Sequence, residues 1–523
     1  MNRVPHKIGL ALQLPRNSVN GSHKLMDAEG SPGARWEETR HPAMPASATL
    51  PVHRREVLKL GATILAGSLS APLAFALPRA NNAKKVIIAG AGITGLSCGY
   101  ELVKRGHEVV LLEASGRTGG HVRTLHEGLA DGLYADLGAE QFTNPGYELY
   151  WDYVKEFNLP YLYYPRRMGL VRFIDGKFRT EEDLHNRSFL SELGFNQREV
   201  DFLAHNALWN LPMLYFGPYI EKFKDEYKPY DAGLNHLDQK TLGDLLRKDG
   251  ASARAIQTIG DSDSSALHVI WHVAILNLRG VPLFPPDVFR LQGGNQLMTD
   301  TLAAKLGDRV RLNAPLTGIE RGDTGVRINY REMGQEKIME GDYLVCCMSA
   351  VMLRLIPVKP PWPESKTYAI NHVPYYSVAR LVFQTQTRFW EKDGRSINWE
   401  TPDARLELLW RMAEEVHTDR AMLLGWAEAS TSRDDGLAAF NNFYPKKSDS
   451  IEKTLVHNWA ADPWAMACET VSYSPGQLTK IWPSIIEPVG RVYFAGAYAD
   501  NLNWGQEAGT RSARRVAESI DRA

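Results

Sequence analysis

Hydrophobic patterning begins at Lys85. Val86-Ile87-Ile88-Ala89 is an unbroken apolar run rich in β-branched residues, as in a strand buried on both faces, and it ends in Gly90-Ala91-Gly92-Ile93-Thr94-Gly95. Leu96, Gly99, Tyr100 and Val103 then recur at helical spacing, and a second apolar run, Glu108 to Leu112, stops at Glu113. The pattern predicts a strand, a helix and a parallel strand joined by a glycine turn. Downstream, helical spacing covers Tyr147 to Phe157, Glu199 to Tyr215, Thr241 to Lys248 and Ser265 to Leu278. Alternating runs at Val310 to Asn313, Leu316 to Ile319 and Val326 to Asn329, then Tyr343 to Cys347 and Arg491 to Phe494, read as strands. Tyr376 to Phe389, ending in Phe389-Trp390, resembles a long strand pair.

The glycine turn carries the first chemistry. Gly90 permits the tight turn, Gly92 lets backbone approach a pyrophosphate, and Gly95 lets the helix pack against the strand, which places a diphosphate at the positive helix N-terminus with Ile93 and Thr94. Glu113, about 20 residues on, is spaced to accept from a ribose 2′-hydroxyl. A glycine-rich turn with no ligand leaves an acid at that spacing unexplained. The reading is therefore a dinucleotide site.

Glu113-Ala114-Ser115-Gly116-Arg117-Thr118-Gly119-Gly120-His121 resembles the second fingerprint of the flavin amine oxidase superfamily, which includes monoamine, polyamine and L-amino acid oxidases. The resemblance implies FAD, with Gly119 and Gly120 offering bare N–H groups and Arg117 and Arg123 fixed positive charge to the diphosphate. The superfamily more often has Arg where His121 stands. Its other implied contacts are Leu316 at the adenine, Gly496 and Ala497 in the closing F-A-G segment, where Ala497 replaces a common acid, and Trp504, Gly505 and Gln506 entering the last helix. The implied fold is α/β, a Rossmann-like FAD-binding domain of the glutathione reductase type (84–145, 285–348 and 480–523) interleaved with an α+β substrate domain (146–284 and 349–479).

The implied activity is hydride transfer from the carbon α to an amine, or amino acid, onto flavin N5. An imine results, then a carbonyl plus ammonia or an amine, with H2O2 from O2. Trp504 matches the aromatic wall that orients the amine, and Gln141 stands where L-amino acid oxidases carry a carboxylate-gripping Arg, so the motif Asp136 to Phe142 favours an amine, unless another Arg substitutes. The lysine that the superfamily sets near flavin N5 has no clear match. Lys359 and Arg354 are its nearest candidates, although each reads more readily as surface charge. A dehydrogenase using a soluble electron carrier, an L-amino acid oxidase and a non-catalytic FAD-binding scaffold therefore stay open beside the oxidase. Non-covalent FAD is the expectation, with Cys468 aligned for a covalent bond to the flavin but followed by Glu469 rather than an aromatic.

The chain has 523 residues, enough for about two domains after any leader. Its net charge of −1 argues against a nucleic-acid partner, and four cysteines are too few for a disulfide scaffold and lack metal-ligand spacing. His268 and His272, one helical turn apart, read as helix packing because no third ligand accompanies them. A homodimer stays open, since the sequence does not fix the oligomeric state. Residues 1–50 read as a disordered or untranslated extension. Residues 51–76, with Arg54-Arg55, an apolar stretch from Leu60 to Leu73 and Ala74-Phe75-Ala76, resemble a twin-arginine export signal, which implies a periplasmic protein.

Overall fold

The structure is a computed structural model and describes residues 82–164, 166, 168–502 and 505–523. The extension, the export signal and Trp504 lie outside the described residues. The elements that build the site are, in chain order, β1 (Lys85–Ala89), α1 (Ile93–Lys104), β2 (Glu108–Leu112), α2 (Ala266–Leu278), β3 (Val310–Arg311), β4 (Tyr343–Cys346), β5 (Val378–Thr385), β6 (Ala421–Glu428), β7 (Val492–Phe494) and α3 (Gly505–Arg522).

The apolar run of β1 is buried because it is central. Five strands lie in the order β3-β2-β1-β4-β7, every neighbour parallel, so β1 is covered on both edges. Crossovers of a parallel sheet put helices on its faces. Here α1 and α3 pack so closely that a Cβ added at Gly509 of α3 lies 2.7 Å from the Thr94 hydroxyl. The chain is thus an α/β protein with a Rossmann-like parallel sheet.

A second sheet of seven strands runs Ile451–Asn458, β5, β6, Leu408–Met412, Trp399–Glu400, Val171–Ile174 and Lys177–Arg179. It is antiparallel except where Trp399–Glu400 meets Val171–Ile174. Its core holds Phe383, Trp399 and Phe440. Helices from 148 to 278 cover the neighbouring region, and α2 is capped by the Ser265 side chain, which accepts from the His268 N–H.

Three elements differ from the pattern. The helix expected over Glu199 to Tyr215 breaks into Gln197–Leu203, a short 3-10 turn Leu208–Asn210 and Leu211–Ile220, the last starting with Pro212 in its first turn. The strand expected to reach Phe389 ends at Thr385, and Phe389 opens a short helix, Phe389–Asp393, that packs its ring against Tyr444 and Phe440. The run Val310 to Asn313 pairs only through Val310 and Arg311, and Asn313 sits at φ +53°.

Candidate functional site

Two cavities meet between the sheets. The first is a groove of about 300 Å³ along the carboxyl ends of β1, β2 and β4, where open α/β sheets bind ligands. Gly90, Gly92, Ile93, Thr94, Glu113, Ala114, Arg117, Gly119, Gly120, His121, Leu316, Gly496, Ala497, Gly505 and Gln506 all face it. Residues chosen from four separate segments of sequence therefore converge on one wall. Gly95 does not face the groove. A Cβ there would lie 1.9 Å from the Gly90 carbonyl oxygen, so its smallness serves the packing of α1 onto the turn.

The turn is fixed from several sides. Gly90, at φ +104°, donates its N–H to the Leu112 carbonyl at 2.7 Å. One Glu113 oxygen accepts from the Ala91 N–H at 2.8 Å, and the other from the Ser115 N–H at 2.9 Å and the Ser115 hydroxyl at 2.7 Å. The acid thus ties the glycine turn to the end of β2, a role the spacing alone did not reveal. Gly119 donates to the Ala91 carbonyl at 2.9 Å, which brings the second fingerprint against the first. Burial, and then the charge of Arg123, draw Arg117 below its ordinary pKa, and its guanidinium donates to the Thr118 and Gly120 carbonyls. Arg123 is not among the groove walls. His121 is held below its usual pKa by burial, and its Nε2 donates to the Ala467 carbonyl at 2.7 Å, with its ring against Trp459.

The donor set fits a dinucleotide. A Cβ added at Gly92 would meet nothing closer than 3.9 Å, so the space beside this glycine opens into the groove rather than into protein. With N–H groups at a helix start and at Gly120, the groove could hold a diphosphate. Leu316 could flank a base.

The second cavity, about 270 Å³, is a chamber whose walls include Phe216, Leu276, Phe284, Trp410 and Gln141. His268 and His272 also face it, although the sequence reading gave them to packing. Burial lowers their pKa values to about 3 and about 4, so both are neutral, and His268 stacks on Tyr473 at 4.0 Å. Groove and chamber share Gly138, Arg380, Trp426, Glu469, Gly505 and Gln506, which makes them neighbours. Tyr376 lies beside this junction, its hydroxyl donating to Glu469 at 3.0 Å and its ring 6.2 Å from that of Trp426 at an interplanar angle of 27°.

Arg380, Arg166, Trp410, Trp426 and Glu469 were not among the residues chosen from sequence. Arg380 did leave a signal, a charge inside the apolar run Val378-Ala379-Arg380-Leu381-Val382, where burial demands a partner or a task. Lys359 is exposed on a two-residue strand, and Arg354 donates to the Ile370 and Val373 carbonyls, so neither reaches either cavity. Cys468 faces the groove. Among the described residues no cluster of metal ligands occurs.

Glu507, on the chamber wall, accepts from the Leu149 and Tyr150 N–H groups at 3.2 and 3.0 Å, and burial raises its pKa to about 7. An acid raised in the fold ionises first in the unfolded chain, so its contribution to stability is full below the unfolded value near 4.3 and is lost as pH rises through 7. Glu507→Gln is expected to remove a loss of up to about 3 kcal/mol over that window, read as a flatter dependence of the urea midpoint on pH. Asp136, also raised to about 7 by burial, keeps its own share of the slope.

A family model described as flavin containing amine oxidoreductase matches residues 93–521. An L-amino-acid oxidase from Demansia vestigiata is 25% identical over 483 residues, spanning 86% of this chain and 88% of its own length. A second, from Cerastes cerastes, is 26% identical over 478 residues, spanning 86% and 89%. Among solved structures, the cyclohexylamine oxidase from Brevibacterium oxydans IH-35A superposes with a TM-score of 0.69 at 20% identity, over 84% of this chain and 99% of its own. Putrescine oxidase bound to putrescine superposes with a TM-score of 0.68 at 19% identity, over 85% and 100%.

Proposed function

The chain belongs to the flavin-containing amine oxidoreductase family, and on that premise we propose that it is an FAD-dependent oxidase of a small amine or amino acid, with O2 as electron acceptor. The observation that carries the reading is that the nucleotide groove adjoins a largely apolar chamber, with Arg380, Trp426, Glu469 and Gln506 lining both. When bound, FAD supplies the acceptor for the hydride that leaves the carbon bearing the nitrogen.

The chain's own residues have three tasks. The backbone N–H groups of Gly92 and Gly120 and the start of α1 would hold the diphosphate, with Gly119, Ala114, Arg117, Leu316, Gly496 and Ala497 along the rest of the cofactor. The α3 start at Gly505 and Gln506 places its positive end at the junction, where negative charge develops. Chamber walls such as Phe216, Phe284 and Trp410 exclude water, which favours the neutral amine whose lone pair drives hydride out. Gln141 and Trp504 border the substrate in this reading. Water then hydrolyses the imine product to a carbonyl and ammonia or an amine.

FAD is held non-covalently in this reading, with Cys468 on the groove wall. Denaturation that releases all flavin into the filtrate supports this, and flavin retained on the polypeptide contradicts it. Anaerobic addition of amines and amino acids to the purified flavoprotein is expected to bleach the flavin, and air to restore it rapidly with formation of peroxide. Slow reoxidation combined with fast reduction of a soluble carrier favours the dehydrogenase instead.

Export of the folded protein to the periplasm is part of the proposal. It rests on Arg54-Arg55, the apolar stretch after them and Ala74-Phe75-Ala76, and it suits an enzyme that acquires its cofactor before transport. Replacing both arginines by lysine is expected to leave the protein in the cytoplasm, read by fractionation. Continued export of the double variant contradicts the route.

A further inference from the structure

One wall of the chamber is a face of α2. Val269, Val273 and Leu276 line it at helical spacing and are apolar, and His268 and His272 are the two polar side chains that the same stretch turns to the chamber. His268 is held from two directions. Its Nδ1 accepts from the Tyr473 backbone N–H at 3.3 Å, and its ring stacks on the Tyr473 ring, with centroids 4.0 Å apart and planes at 17°. The Tyr473 carbonyl in turn accepts from the Ser265 N–H at 2.7 Å, and the Ser265 hydroxyl caps α2 by accepting from the His268 N–H at 3.3 Å. Ring, cap and the backbone of Tyr473 thus form one rigid unit.

A neutral imidazole carries one proton, and an Nδ1 that accepts leaves that proton on Nε2. Burial, and then neighbouring His272, lower the His268 pKa to about 3, so the ring stays neutral at pH 7. Nε2 has no hydrogen-bond partner among the described residues, yet it is not among the buried atoms that lack one, so it opens onto the chamber. Phe216, Leu242 and Ile259, which line the same chamber, supply no side-chain acceptor. A fixed N–H in an apolar wall is a costly donor to leave unmet. We propose that His268 reads the substrate, donating from Nε2 to a neutral oxygen, hydroxyl or carbonyl, carried at the end remote from the reacting nitrogen. The proposal rests on the amine-oxidising reading above and gives it a substrate class, amines that bear such an oxygen.

Position selects the remote end. His268 faces the chamber and not the groove, whereas Trp426, Gly505 and Gln506 line both, so the reacting carbon belongs at the shared wall and the oxygen away from it. Charge selects a neutral oxygen. A carboxylate would give up its hydration for a single bond from an uncharged donor, and an ammonium has no acceptor to offer an N–H. A substrate that lacks the oxygen leaves Nε2 unmet, a penalty that a site built around a polar group converts into discrimination.

The test compares substrates that differ by one oxygen: 5-amino-1-pentanol with pentylamine, tyramine with phenethylamine, and L-tyrosine with L-phenylalanine. Each is mixed anaerobically with purified holoprotein while flavin bleaching is followed. In at least one pair the hydroxylated member is expected to half-reduce the flavin at ~10–10²-fold lower concentration. His268→Phe keeps a flat ring and loses the donor, and is expected to abolish that ratio. His268→Gln restores an N–H and is expected to recover part of it, with flavin content and far-UV circular dichroism showing that both variants are folded. Equal concentrations within every pair for the wild type, a ratio unchanged in His268→Phe, or a better response to 5-aminopentanoate or cadaverine than to 5-amino-1-pentanol overturns the proposal while leaving the oxidase reading intact. A flavin that none of these compounds bleaches overturns both.

Discussion

Gly95→Ala is expected to yield a protein that retains no FAD and melts well below the wild type. The added Cβ would stand 1.9 Å from the Gly90 carbonyl oxygen and 3.0 Å from its carbon, and a backbone neighbour cannot swing aside as a side chain can. The turn cannot yield either, because Gly90 at φ +104° is bonded to Leu112 at 2.7 Å. The start of α1 must therefore shift, at about 1–3 kcal/mol for ordinary overpacking and more where backbone meets backbone. Gly92→Ala separates this structural effect from a functional one. Its Cβ has no neighbour closer than 3.9 Å, so the apoprotein should melt like the wild type, while the methyl group stands in the groove and weakens FAD by ~10²-fold. Flavin absorbance per protein and the melting temperature of each apoprotein check the pair. Wild-type affinity in Gly92→Ala would place the diphosphate elsewhere.

Glu113→Ala is expected to raise the Kd for FAD by ~10²–10³-fold. The carboxylate accepts from the Ala91 N–H at 2.8 Å and from the Ser115 N–H at 2.9 Å, and it is buried. Truncation leaves two N–H groups without acceptors, each costing about 1–3 kcal/mol, and frees the turn that shapes the diphosphate seat. Any bond the acid makes to a ribose hydroxyl is lost as well. Glu113→Gln keeps one good acceptor but turns an NH2 toward a backbone N–H, so it should fall between wild type and Ala. Titrating each apoprotein with FAD gives the order, and equal Kd values for wild type and Glu113→Ala contradict it.

The nucleotide groove was legible because its determinants are local. A buried strand, a glycine turn and an acid at the end of the next strand follow one another within 30 residues, from Lys85 to Ala114, and each residue type answers a local geometric need. The chamber was not legible. Arg380 comes from β5, Trp426 from β6, Arg166 from a loop and Glu140 from the segment after Asp136, and only the register of the antiparallel sheet puts Arg380 opposite Trp426. No period in sequence encodes such a meeting. Lys359 and Arg354, the candidates nearest in sequence for the lysine near flavin N5, reach neither cavity. The long helix expected over Glu199 to Tyr215 shows a smaller form of the problem: its apolar spacing continues through a backbone break that Pro212 helps to impose.

The most direct test of the central claim is the visible spectrum of the purified protein before and after anaerobic addition of an amino acid or amine. The account predicts a bound flavin spectrum that bleaches without oxygen and returns in air with formation of peroxide. A polypeptide that stays colourless after refolding with excess FAD contradicts it.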